Sequence, residues 1–241
     1  MKQEIYQKQF SLGEILSESW KRFTENFQLI LSITLIIYIP INILLSLTLL
    51  EGLSGDFELY SKVSNMLGRS IGVIATMAIA FVIQNKIDGK TIGIGDAFKK
   101  SFSRWGAVIG TGIILAIFLF GLTLLFIIPG AIFSIYWKFA PLVVILNGKF
   151  GIDALRYSKQ IVKGRWWTVA WYSFVFFVLM SIVVGILGGI LYLFFPKDFL
   201  ISVLMGTLIN ILLSFFTVVS TIFFINFDAT KKVDDVALTS K

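Results

Sequence analysis

The chain has 241 residues, of which 57% are hydrophobic and 15% are charged, and its formal net charge is +7. Soluble domains contain roughly 25% charged residues, so a chain this apolar cannot cover its surface with polar groups and is predicted to be an integral membrane protein. It contains no cysteine and no histidine, which excludes thiol nucleophiles, disulfides, imidazole bases and the commonest zinc ligands.

Six apolar segments follow one another along the chain, each close to the roughly 20 residues that a helix needs to cross a bilayer. We predict spans at 27–50, 67–83, 107–127, 131–147, 167–194 and 200–227. The predicted fold class is an all-α integral membrane protein with six transmembrane helices in three hairpins. We predict a single polytopic membrane domain over residues 1–241, with units at about 11–83, 92–147 and 150–227 and a tail at 228–241.

Pro129 and Gly130 interrupt the long apolar stretch between residues 107 and 147. One continuous helix of that length would be about twice as long as the roughly 30 Å hydrocarbon core. Proline ends helices and glycine tolerates turn geometry. We therefore predict the hairpin break between the third and fourth spans at Pro129 and Gly130.

The distribution of lysine and arginine predicts the orientation of the spans. Of the 21 basic residues, 17 lie before the first span, between the second and third, between the fourth and fifth, or after the sixth. Short basic loops stay in the cytoplasm. Both termini are therefore predicted to be cytoplasmic in a multi-pass protein of the cell membrane. The loop at 51–66, which contains Glu51, Asp56 and Glu58, is predicted to lie outside.

A similar segment precedes the first, third and fifth spans, with an acidic residue followed five positions later by a serine. On a helix each segment is amphipathic, so we predict three cytoplasmic interfacial helices, one before each hairpin. Tryptophan and arginine near the end of such helices are expected at the depth of the lipid headgroups. These residues are Trp20, Trp105, Trp166, Arg22, Arg104 and Arg165.

The segments at 12–20, 128–130, 136–141 and 153–167 together resemble a known membrane domain. It is the six-span domain that is fused to some glycerophosphoryl diester phosphodiesterases and that has free-standing, uncharacterised bacterial relatives. The resemblance covers nearly the whole chain and implies a prokaryotic six-span membrane protein. The phosphodiesterase chemistry of the fused relatives resides in a soluble barrel that these 241 residues do not include, so it is not carried over.

Lys138 lies inside a predicted span, seven residues into the fourth. Ionisable groups within membranes are functional candidates, and no predicted span has a carboxylate in its interior to pair with this lysine. Lys138 could face a hydrated cavity, bind a lipid phosphate or another anion, or lose its proton on desolvation. Alternatively it bonds backbone carbonyls or the amides of Asn42, Asn210 or Gln84 and fixes packing. We take Lys138, Asn210 and Gln84 as the candidate ligand or lipid site.

Three pairs of glycines are four residues apart, at 68 and 72, 106 and 110, and 185 and 189. Small residues at this interval let two helices approach closely. We expect these pairs to serve packing within the chain rather than dimerisation.

No enzymatic activity is predicted, because the spans lack the base, carboxylate pair or metal ligands that intramembrane catalysis requires. Catalytic residues, metal and cofactor are all predicted to be absent. The favoured function is a non-enzymatic role in membrane or envelope homeostasis, through binding of lipids or proteins, with protection against membrane-active peptides as one form. The alternative is a transport component, either a permease-like subunit of an ATPase or a small-solute carrier. Anionic lipids are the expected partners, and nucleic acid is not.

Overall fold

The computed structural model describes residues 4–50, 62, 66–68, 70–194 and 199–239. Within those ranges every regular element is a helix and no strand occurs. The elements are α1 (Glu4–Gln7), α2 (Leu12–Glu25), α3 (Phe27–Leu50), α4 (Gly72–Ile87), α5 (Ile94–Leu125), α6 (Ile127–Tyr136), α7 (Ala140–Leu142), a π-helix (Val143–Asn147), α8 (Gly151–Val162), α9 (Trp166–Phe194) and α10 (Phe199–Thr239).

Six helical segments of this part of the chain are long and apolar enough to cross a membrane. They are Phe27–Leu47, Met66–Ile87, Ile94–Leu125, Ile127–Asn147, Trp166–Ile190 and Phe199–Lys231. The predicted fold class, an all-α membrane protein with six spans, is confirmed. Glu51, Asp56 and Glu58 of the predicted outer loop lie outside the described residues.

The amphipathic segment before the first span is a separate helix, α2, with a reciprocal cap at its start. Glu14 N donates to Ser11 Oγ at 3.3 Å, and Ser11 N donates to Glu14 Oε2 at 2.8 Å. This capping box satisfies backbone donors that the first helical turn leaves free. The helix ends at Glu25 and is capped by Asn26, whose side chain donates to the carbonyl of Arg22 at 2.8 Å. The helix α3 begins at the next residue.

The second amphipathic segment is not a separate helix, which corrects the prediction of three such helices. It is continuous with the third span, because α5 runs without interruption from Ile94 to Leu125. The third segment is again separate: α8 ends before a turn in which Gly164 has a φ of +83°. Glycine adopts this left-handed conformation without steric cost. No residue between 101 and 106 adopts a positive φ, so the helix continues through this segment.

The break between the third and fourth spans lies at Phe126 and not at Pro129 and Gly130. Phe126 is extended, with φ −156° and ψ 130°, and separates α5 from α6. Pro129 is the third residue of α6, where the missing N–H would have no helical partner in any case. Gly130 instead permits a close approach, since a Cβ at this position would lie 3.1 Å from the Cα of Thr123.

The fourth span, predicted as one helix, is broken a second time. After α6 ends at Tyr136, residues 137–139 form a turn, and the chain continues through α7 into a π-helix that ends before Gly148. Lys138 therefore lies in the middle of the span Ile127–Asn147, at a helix break, and not seven residues into a continuous helix.

Residues 5–10, here called the N-terminal strap, pack against the far end of the sequence. Asn226 is fully buried in α10 and its Oδ1 accepts from Phe10 N at 2.9 Å. Its Nδ2 donates to the carbonyls of Ile5 and Lys8, both at 2.9 Å. The predicted tail from 228 does not begin at a helix end, because α10 continues to Thr239.

The six spans are buried in the protein to very different extents. The most apolar window of Met66–Ile87 is 59% buried, whereas those of Ile94–Leu125 and Trp166–Ile190 are 11% and 6% buried. Bulky side chains remain exposed along both of these helices, including Ile117, Phe120, Trp167 and Phe177. These two helices therefore leave most of their apolar surface to be covered by something other than this chain.

Candidate functional site

The turn at residues 137–139 interrupts a described span, and aromatic packing holds it on both sides. The ring centroid of Trp137 lies 4.8 Å from that of Phe133 and 5.9 Å from that of Phe118. On the other side Phe139 is 1% exposed, and its ring centroid lies 4.9 Å from that of Phe223. Lys138 lies between these two anchored aromatic residues.

Ser158 of α8 supplies the hydrogen bonds that the broken helix lacks. Its hydroxyl accepts from Phe139 N at 3.1 Å and donates to the carbonyl of Tyr136 at 2.8 Å. Irregular backbone at membrane depth requires such partners because hydrocarbon offers none. The turn is therefore stabilised by groups other than the Lys138 side chain.

The Lys138 side chain is partly buried, and its ammonium group makes no hydrogen bond or ion pair with any part of the chain that the structure describes. Among those residues, no buried side-chain nitrogen or oxygen lacks a hydrogen-bond partner. Since Lys138 Nζ has no such partner, it must reach the protein surface. The result is a lysine amino group at a break in a span, at least partly exposed at the protein surface.

The amides that were predicted as partners of Lys138 bind elsewhere. Asn210 donates to the carbonyl of Gly206 in its own helix at 2.8 Å. Gln84 donates to Asp88 at 3.0 Å, and Asn42 donates to the hydroxyl of Thr207 at 3.0 Å. None of these hydrogen bonds involves Lys138, so the structure does not join Lys138, Asn210 and Gln84 into one hydrogen-bonded site.

Two of the three predicted interfacial arginines are used inside the protein. Arg104 donates to the carbonyls of Val144 and Ile145 and thereby binds carbonyls of the π-helix. Arg165 donates to the carbonyl of Phe227 at 2.8 Å and to the Thr230 hydroxyl at 2.7 Å.

The third arginine, Arg22, pairs with Glu18 at 2.7 Å within α2. All three guanidinium groups are thus engaged with protein atoms. A lipid headgroup would have to share them with these partners.

The three predicted interfacial tryptophans differ in exposure and bonding. Trp20 is 59% exposed on α2. Trp105 Nε1 donates to the carbonyl of Ser70 at 2.6 Å, near the start of α4, and Trp166 Nε1 donates to the carbonyl of Ile132 at 3.1 Å. Trp105 and Trp166 therefore link helices. Of the three tryptophans, Trp20 is the one best exposed to contact surrounding lipid or water.

Residues 30–231 match the model of a protein family described as a domain of unknown function (DUF7847). The chain belongs to this DUF7847 family. No curated protein and no solved structure matches it. The N-terminal strap and α2 lie before the matched region, although Asn226, which holds the strap, lies within it.

A second polar feature of the DUF7847 chain is an open pocket of 290 Å³ at the start of α8. It is lined by Gly148, Lys149, Phe150, Asp153, Arg156, Tyr157 and Gln160. Its charges are largely engaged: Arg156 lies 3.7 Å from Asp153, and Lys149 lies 5.1 Å from the ring centroid of Tyr157. In the part of the chain that the structure describes, no group of three or more Asp, Glu, His or Cys residues could hold a metal ion.

Sequence reasoning missed the two polar groups that organise the DUF7847 domain most directly. Ser158 was noted as part of a repeated pattern, but nothing in the sequence links it to the turn at 137–139. Asn226 is an isolated amide close to the end of an apolar span, and its partners lie more than 200 residues away in sequence. The one available signal was that Asn226 has apolar residues directly before and after it, since an amide that is buried among apolar groups requires hydrogen-bond partners.

Proposed function

We propose that this protein is a non-enzymatic membrane protein that binds anionic membrane lipids and thereby supports the integrity of the membrane. The observation that supports this most directly is the uncovered surface of α5 and α9. The most apolar windows of their spans are only 11% and 6% buried, so the protein presents two long apolar faces to its surroundings.

These faces are not used for close packing within the chain. A Cβ added at Gly106, Gly110, Gly185 or Gly189 would meet nothing within 4 Å. The expectation that these glycine pairs serve intramolecular packing is therefore wrong for the pairs on α5 and α9. Acyl chains fit such surfaces because contact with hydrocarbon keeps apolar side chains out of water.

Exposed lysines at helix ends favour lipids of negative charge. They include Lys99, Lys100, Lys149, Lys159 and Lys163. Each basic residue near an anionic leaflet contributes about 1 kcal/mol of attraction. A cytoplasmic location of these loops and of both termini, in the cell membrane of a prokaryote, is part of this proposal.

The test is extraction of the full chain from native membranes in mild detergent, followed by mass spectrometry of the retained lipids and proteins. We expect anionic phospholipids to be enriched over their share in the bulk membrane. The control is an unrelated six-span protein purified in the same way, which accounts for nonspecific annular lipid. If the retained lipids have the same composition as the bulk membrane, the proposal is contradicted.

A transport component is the second candidate, and the two breaks around α6 favour it. Interrupted helices at membrane depth are frequent at the binding sites of transporters. Stoichiometric co-purification of an ATPase in the same experiment would favour this reading. The resemblance to the phosphodiesterase-fused membrane domain stays a prediction, and protection against membrane-active peptides is one form of the accessory role.

A further inference from the structure

We propose that Lys138 binds the phosphate group of an anionic ligand, and that this ligand is a membrane phospholipid whose acyl chains lie along α5. The inference rests on the proposed lipid-binding function and names the residue and the ligand chemistry. A phosphate monoanion or diester offers the negative charge and the acceptor oxygens that an ammonium group, with three donors and no acceptor, requires.

The turn around Lys138 is held by other residues, so the lysine ammonium group can bind a ligand. Ser158 satisfies Phe139 N and the carbonyl of Tyr136, so the turn does not depend on the Lys138 ammonium. Trp137 and Phe139 are anchored on either side of it. A charged side chain that is fixed at its base, yet has no structural role in closing the turn, is suited to bind something outside the protein.

No carboxylate in the described part of the chain forms an ion pair with Lys138, and six of these carboxylates bind other residues. The pairs are Glu14 with Lys8, Glu18 and Glu25 with Arg22, Asp88 with Tyr6 and Gln84, Asp153 with Arg156, and Asp228 with Tyr157. A charged lysine within the hydrocarbon region of a membrane is energetically costly when no anion accompanies it. An anion that accompanies the lysine offsets this cost, and a phospholipid supplies one when its phosphate is drawn inward from the headgroup layer to the turn at 137–139.

The neighbouring surface fits acyl chains. Trp137 contacts Phe118 of α5, which is 42% exposed. Further exposed apolar side chains lie before and after Phe118 on the same helix, namely Ile113, Ile117 and Phe120. A lipid with its phosphate at Lys138 would therefore find apolar contacts on α5, one of the two helices that the protein leaves largely uncovered.

The experiment is a native mass spectrometry titration of the purified full chain in detergent. The added lipid is phosphatidylglycerol, with phosphatidylcholine as the zwitterionic comparison. The variants are Lys138→Met and Lys138→Arg, and the matched control is Lys90→Met, which removes the same charge from an exposed site. Thermal unfolding of every variant is recorded in parallel.

We expect one phosphatidylglycerol per chain to bind more tightly than the rest. Lys138→Met should weaken this site at least about tenfold, the size expected for loss of one charge-assisted hydrogen bond. Lys138→Arg and Lys90→Met should retain it. Equal affinity in Lys138→Met and the native chain would overturn the inference while leaving the proposed function intact.

Two further arms separate the remaining possibilities. If inorganic phosphate displaces the tight phosphatidylglycerol, and binds equally well alone, the site takes a free anion and the lipid assignment is wrong. If the native chain retains no anionic lipid above the phosphatidylcholine level, both the inference and the proposed function fail. Should Lys138→Met unfold, Lys138→Gln replaces it, because the amide keeps hydrogen-bonding capacity while removing the charge.

Discussion

At the scale of single residues, three buried serines share a position in the repeated sequence pattern but differ in what they bind. Ser19, Ser101 and Ser158 are all fully buried. Ser19 and Ser101 donate to carbonyls of their own helices, at 2.6 Å and 2.8 Å. Ser158 instead bonds a different segment, the turn at 137–139.

This difference predicts unequal effects of removing the hydroxyl. Ser158→Ala leaves Phe139 N and the Tyr136 carbonyl without their partner, which should destabilise the protein by about 1–3 kcal/mol. Ser101→Ala removes a hydroxyl that bonds only a carbonyl already within its own helix, so its effect should be much smaller. Unfolding in detergent measures both. Equal losses for the two variants would mean that the turn does not depend on Ser158.

The sequence pattern predicts that these serines lie on related faces of helices, and their common burial agrees with this. It does not predict that one of them completes a broken helix, because that depends on which segment packs beside α8. The same holds for Lys138: its position within a span could be read from the sequence, but its place in a turn between two anchored aromatic residues could not.

At the scale of elements, the contact between α5 and α6 depends on Gly130. A Cβ there would meet the backbone and the hydroxyl of Thr123, so Gly130→Ala must push the two helices apart. We expect a loss of about 1–3 kcal/mol, as for other overpacked positions. Gly121→Ala, with nothing within 4 Å, is the matched control and should be neutral or slightly stabilising. The free energies of unfolding of both variants test this, and a neutral Gly130→Ala would contradict the close approach.

The N-terminal strap should detach at high pH. Burial, together with the hydrogen bond from the Tyr6 hydroxyl to Asp88 at 2.9 Å, raises the pKa of Tyr6 above its ordinary value. Because the pKa is raised in the folded state, the contribution of the neutral phenol is fully present below about pH 10 and is lost as the pH rises further. A fluorescent label on Gln7→Cys should therefore gain mobility only above about pH 10.

Tyr6→Phe is the control for this transition, since phenylalanine cannot ionise. The strap of this variant should lack the hydrogen bond to Asp88 at every pH but show no added release above about pH 10. If Tyr6→Phe and the native chain released the strap over the same pH range, ionisation of another group would be responsible.

At the scale of the whole molecule, the absence of native cysteine makes the orientation directly measurable. We predict that Thr91→Cys and Lys163→Cys, in the basic loops, react with an impermeant maleimide only when the cytoplasmic side is open. Phe126→Cys, at the break between α5 and α6, should react from the opposite side. Labelling of Thr91→Cys and Phe126→Cys from the same side would contradict the six-span orientation derived from the charges.

The sequence by itself determined the class of this protein. Apolar segments of sufficient length and scarce charge dictate membrane-spanning helices, since a bilayer tolerates only backbone that satisfies its own hydrogen bonds. Six spans therefore followed from composition and spacing alone. The break between the third and fourth was anticipated near Pro129, within a few residues of its location at Phe126.

Tertiary structure decided everything that depends on which helices pack together. It set the second break in the fourth span, the continuity of α5 and the role of Ser158. It also left α5 and α9 uncovered while Asn226 received the N-terminal strap. The physical reason is that apolar spans are nearly interchangeable in a hydrocarbon solvent, where packing and a few polar contacts select the neighbours of each helix. Those contacts join residues far apart in sequence, so the local sequence pattern does not predict them.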